Sequence, residues 1–147
     1  MQFYRYQTPV SKHTDEGEFI NIIRLSNIET LDREVNFFEI TRLIETIIKE
    51  TERRLIEKYK KGKNLNRNML IWKLRVRARL LNIVDVNKDK PLSLDKLREY
   101  LFECGYKGTK SKPLSKERIR QIEEEIKGIL KSVAIKVLRS AGIIEDL

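Results

Sequence analysis

The sequence predicts a mainly α-helical protein, and three observations predict it. Ile, Leu and Val recur at helical spacing through most of the 147 residues. Ser or Asn stands before several of those runs, where a side-chain oxygen can cap the first free amides. Glycines stand where the runs fade, in the position that closes a helix. With 40% hydrophobic and 36% charged residues, the chain can bury the core of one ordinary domain beneath a heavily charged surface. No apolar run approaches the roughly 18 residues that span a bilayer. The N-terminus MQFYRYQTPV lacks the apolar core of a signal peptide, so a cytoplasmic location without a membrane partner is expected. A single cysteine, Cys104, excludes an intramolecular disulfide framework. One histidine, His13, beside that lone thiol leaves no zinc constellation, so neither a metal nor a cofactor is expected.

The elements follow in order. Residues 1–35 are the least legible, and Phe19–Leu25 (FINIIRL) fits a strand or a helical turn equally. Asn36 is placed to cap a helix, with Glu39 three residues on and Val35 stapled against Ile40. Its buried stripe is expected at Phe37, Ile40, Ile44, Ile47, Thr51 and Leu55. The pairs Glu45–Lys49 and Glu50–Arg54 lie four apart on its outer face. Lys58, Lys60 and Lys61 suit its C-terminal dipole end, and Gly62 a left-handed residue after it. Lys63–Asn68 reads as a polar linker. Trp72–Leu80 (WKLRVRARL) alternates as a strand would, yet Ile71, Leu74, Ala78 and Leu81 also follow the helical period. Its Leu, Ala, Arg and Lys content favours the helix. Either way Arg75, Arg77 and Arg79 are expected as an exposed basic cluster, a solvated face or a set of phosphate contacts.

Val86–Pro91 reads as a turn. Ser93 then caps a third helix, stapled by Leu92 and Leu97, with Leu94, Leu97 and Leu101 inward and Gly105 at its end. Tyr106–Pro113 is a loop with three lysines, Lys110 and Lys112 among them. Ser115 opens a fourth helix, stapled by Leu114 and Ile119, with Ile119, Ile122, Ile126, Ile129, Val133 and Val137 inward and a bend allowed at Gly128. Glu123, Glu124 and Glu125 are expected on a solvated face, since successive helical positions radiate outward.

Charge separates the halves. Residues 1–62 carry 11 Lys+Arg and 11 Asp+Glu, whereas residues 63–147 carry 20 and 11, so the whole net charge of +9 lies in the second. Residues 1–62 therefore read as a neutral region with a long amphipathic helix, and 63–147 as a basic one suited to a polyanion. Two consecutive capped helices at the centre of that charge make a candidate helix-turn-helix. Its second helix would offer Lys116, Glu117, Arg118, Arg120 and Gln121 to the major groove of double-stranded DNA, with Ile119 and Ile122 inward.

The run Leu114-Ser-Lys-Glu-Arg-Ile-Arg-Gln-Ile-Glu123 resembles the recognition helix of bacterial sigma factor region four, with Lys116 where that family usually has Arg. Leu92-Ser-Leu-Asp-Lys-Leu97 resembles the first helix of the same motif, and Val137-Leu-Arg-Ser140 is similar to the tail of primary sigma factors. The resemblance implies promoter recognition and docking on the RNA polymerase flap. It places Lys116, Glu117 and Arg120 against bases, Gln121 against base or backbone, and Arg118 nearer phosphate. Tyr100 and Phe102 cannot share a face with Leu94, Leu97 and Leu101. They are expected either as partly exposed anchors for polymerase or packed on the Phe37–Leu55 helix.

Two other readings fit the residues. The long helices Asn36–Lys61 and Lys116–Arg139 could pair as an interaction module or homodimer without DNA. Alternatively, Gly105-Tyr-Lys-Gly108 with Arg75–Arg79 could bind RNA, although these four residues read better as an ordinary loop. No P-loop, zinc motif or nucleophile elbow is present, so no enzyme is expected.

Overall fold

The computed structural model describes residues 37–144 except Val86 and Asp89. The expectations for His13, Phe19–Leu25, Val35 and Asn36 fall outside those residues. Among the described residues there are four helices and no strand, so the protein is mainly α. Helix α1 is Phe37–Tyr59. Its inner face buries Ile40, Leu43, Ile44, Ile47, Ile48, Thr51 and Leu55, the three- and four-residue spacing of a broad apolar stripe. The chain leaves α1 through a turn in which Gly62 N–H donates to Tyr59 O at 3.0 Å. Gly62 does not take the left-handed conformation expected of it; among the described glycines only Gly105 (φ 93°) and Gly142 (φ 72°) do.

The linker is shorter than the sequence suggests, because helix resumes at Leu65 and Asn68 is buried in it. Residues 65–84 form one continuous helix, α2, in three stretches: Leu65–Ile71, a π-helical stretch Trp72–Arg77, and Ala78–Val84. The helical alternative is thus the one adopted, but its inward face differs from the expected one. The wider π turn rotates the following residues about the axis. Ile71, Trp72, Val76 and Leu80 are buried, while Leu74, Ala78 and Leu81 are only half-buried. Trp72 is wholly enclosed, and its indole N–H donates to Glu52 Oε2 at 3.2 Å.

Helices α3, Leu94–Glu103, and α4, Lys116–Ser140, start and stop by the rules read from the sequence. Ser93 Oγ accepts from Lys96 N–H at 3.2 Å, and Ser115 Oγ from Arg118 N–H at 3.0 Å. Both helices end in a Schellman motif. Gly105 N–H donates to Phe102 O and Tyr106 N–H to Leu101 O; Gly142 N–H donates to Arg139 O and Ile143 N–H to Leu138 O. The second motif turns Ile143 and Ile144 back into the core. Gly128 causes no break, and α4 runs through it.

α1 and α4 pack antiparallel along their length, with Lys58 against Glu125 at one end and Arg54 against Ser132 farther along. α2 packs on both, and α3 packs on α4. A single apolar cluster therefore draws on all four helices. The boundary at residue 62 separates charge, not packing. No helix among the described residues is long and apolar enough to cross a membrane.

Candidate nucleic-acid interface

The first turns of α4 take their exposure from the apolar residues between the polar ones. Leu114, Ile119 and Ile122 are buried, which fixes the helix so that Lys116, Glu117, Arg118, Arg120 and Gln121 face solvent. Two contacts from α3 reach this end. Arg98 Nε donates to Leu114 O at 2.8 Å, and Lys116 Nζ lies 2.7 Å from Asp95 Oδ1. That lysine keeps Asp95 below the usual carboxylate range. The Lys116–Asp95 pair is well exposed, so it contributes little stability and yields readily to a competing anion. Arg118 Nη1 donates to Gln121 Oε1 at 3.3 Å, which orients the amide along the helix surface.

Residues 104–115 between α3 and α4 fold as a miniature hairpin. Lys107 and Pro113 form an antiparallel bridge, Gly108 N–H donates to Lys112 O at 2.6 Å, and Lys112 N–H donates to Thr109 O at 3.2 Å. Lys110 and Ser111 at the tip have φ of 56° and 58°, the mirror-image sense that hairpin turns favour. Lys107, Lys110 and Lys112 are all exposed there. Gly108 sits so close to Pro113 O that an added Cβ would approach it to 3.3 Å. The Gly105-Tyr-Lys-Gly108 segment is thus a helix cap running into a hairpin.

The arginine cluster of α2 does not form the expected exposed set. Arg75 pairs with Glu123 of α4 through Nε and donates from Nη1 to Leu92 O at 2.8 Å. Arg77 Nη1 lies 3.2 Å from Glu52 Oε2. Only Arg79 of the three is exposed. The π turn explains the difference, since it swings Arg75 and Arg77 toward carboxylates on neighbouring helices. Glu123 is correspondingly buried, at 4% exposure, while Glu124 and Glu125 remain solvated.

Tyr100 is 41% exposed on the outer side of α3, and the Cys104 thiol one turn on raises its phenol pKa. Phe102 is half-buried, with the Lys107 ammonium 5.6 Å from its ring centroid. Lys107 thus lies over the Phe102 ring. Arg67 was not anticipated from sequence. It lies at the start of α2, close enough to Arg118 that burial and that neighbouring charge together lower its pKa. It adds a cation beside α4 from the segment that reads as linker.

No protein-family model, curated protein or solved structure matches the chain. The likeness to sigma factor region four rests on the residues quoted above alone.

Proposed function

We propose that this protein is a cytoplasmic, non-enzymatic DNA-binding protein of transcription, and that it reads duplex DNA with the first two turns of α4. What carries the reading is the solvent-facing set Lys116, Glu117, Arg118, Arg120 and Gln121, held on a rigid helix whose inward residues are buried. In this reading Arg120 and Gln121 supply the groups that pair with guanine and adenine in the major groove. Lys110 and Lys112 of the hairpin meet phosphate, and Arg67 and Arg79 enlarge the positive field. Arg75 and Arg77 serve the fold instead. Tyr100 is the group offered to a protein partner, RNA polymerase being the one that the sequence resemblance implies.

Fluorescence anisotropy with a duplex library at several salt concentrations tests this. Arg120→Ala and Gln121→Ala should each relax preference at one base pair by roughly 1–3 kcal/mol. Lys110→Ala and Lys112→Ala should weaken all sequences alike and lower the salt slope. Identical behaviour of the four variants would mean that the charge is diffuse and α4 reads nothing.

A further inference from the structure

A second concentration of positive charge lies toward the opposite end of α4. There α1 and α4 leave an open cleft of about 450 Å³ lined by Arg54, Ser132, Ile135, Lys136, Arg139 and Ser140. Among the described residues its cations are poorly neutralised. Arg54 Nε is 3.4 Å from Glu50 Oε1, but that carboxylate is committed to Arg53 at 2.6 Å, which holds its pKa down to about 2. Lys136 and Arg139 have no ion pair among the described residues. Arg139 Nε is buried with no hydrogen-bond partner among them. Arg54 Nη1 approaches Ser132 Oγ only at 3.5 Å, so both groups keep donor capacity.

Three like charges gathered around one concavity repel one another unless an anion joins them. The negative end of the α4 dipole accounts for a cation at Arg139, in the last turn. It does not account for Arg54, which comes from the other helix. Two guanidinium groups, an ammonium and two serine hydroxyls are all donors, and together they match the several acceptor oxygens of a phosphate. The geometry points to a phosphate-binding cleft formed by Arg54, Lys136 and Arg139 with Ser132 and Ser140. Lys136 lies 18 residues along α4 from Arg118, about 27 Å at 1.5 Å per residue. A phosphate held here is therefore separate from those beside the first turns of α4, and the cleft does not depend on the function proposed above.

The test is thermal unfolding of the full chain with inorganic phosphate or pyrophosphate, against sodium chloride at equal ionic strength. A saturable rise in Tm with the phosphates is expected, since binding to the folded state alone stabilises by mass action. The rise should disappear in Lys136→Gln, which alters an exposed side chain and leaves the core intact, and in Arg139→Gln. It should persist in Arg120→Ala. No phosphate-specific rise, or a rise that survives both cleft substitutions, overturns the proposal. The salt slope of duplex binding then distinguishes the source of the phosphate. A slope about one unit smaller in Lys136→Gln assigns it to the DNA backbone; an unchanged slope assigns it to a free phosphate compound. A wild type that responds to phosphate but binds no duplex retains the cleft and refutes only the DNA reading.

Discussion

Of three consecutive glutamates in α4, Glu123 alone is buried, and Arg75 of α2 and the carbonyl of Leu92 share its environment. Removing one member of such a pair leaves the other charged in a site built for both. Glu123→Ala is expected to cost about 3 kcal/mol, near the lower end for a buried pair because Arg75 keeps some solvent contact. Urea denaturation should show this as a lower midpoint, and an unchanged midpoint would mean that the pair does not hold α2 to α4. Paired replacement by Arg75→Met and Glu123→Leu should recover most of the loss. Sequence could not reveal this pair. Its partners stand 48 residues apart, and periodicity carries no information about which exposed-looking charge meets another helix. The surface residues Lys116, Arg118, Arg120 and Gln121 were legible for the opposite reason: the isoleucines beside them fix which way they face.

At the level of elements, legibility follows locality. The caps at Ser93 and Ser115 and the ends at Gly105 and Gly142 depend on a few adjacent residues, and each is visible in the chain. The π turn in α2 has no local marker in the spacing of its apolar residues, so a uniform helical period misplaces its inner face. The hairpin before α4 was hidden because Lys110 and Ser111 occupy positions that Asn and Gly usually fill. Left-handed backbone costs such residues roughly 1–2 kcal/mol. Ser111→Gly should therefore raise stability by about 0.5–1 kcal/mol, part of the relief being lost to the freer unfolded chain. Calorimetry giving no gain would show that the turn is not strained. Within α4, Gly128 is exposed and a Cβ there meets nothing within 4 Å. Gly128→Ala should stabilise by about 0.5–1 kcal/mol through helix propensity alone, a shift readable in the same melts.

For the whole molecule, the change of net charge at residue 62 falls within a single apolar core. α1 contributes Ile40, Leu43, Ile44, Ile47, Ile48 and Leu55 to the core shared with α4. A fragment of residues 63–147 would expose the other side of that contact, and contiguous apolar surface of this kind promotes association. The fragment is expected to lose the cooperative unfolding transition and near-ultraviolet circular dichroism of the full chain. A cooperative melt close to that of the full chain would show that α1 is dispensable. Each function assigned to α4 should accordingly be measured with α1 present.

Cys104 is the sole cysteine of the chain and stands exposed at the end of α3, next to the hairpin that leads into α4. The natural sequence thus offers one attachment point for a thiol-reactive dye or spin label, without any substitution. A fluorophore there would lie beside the surface proposed to meet DNA. Energy transfer to an acceptor on either end of a duplex would then report which way round the protein sits on its site.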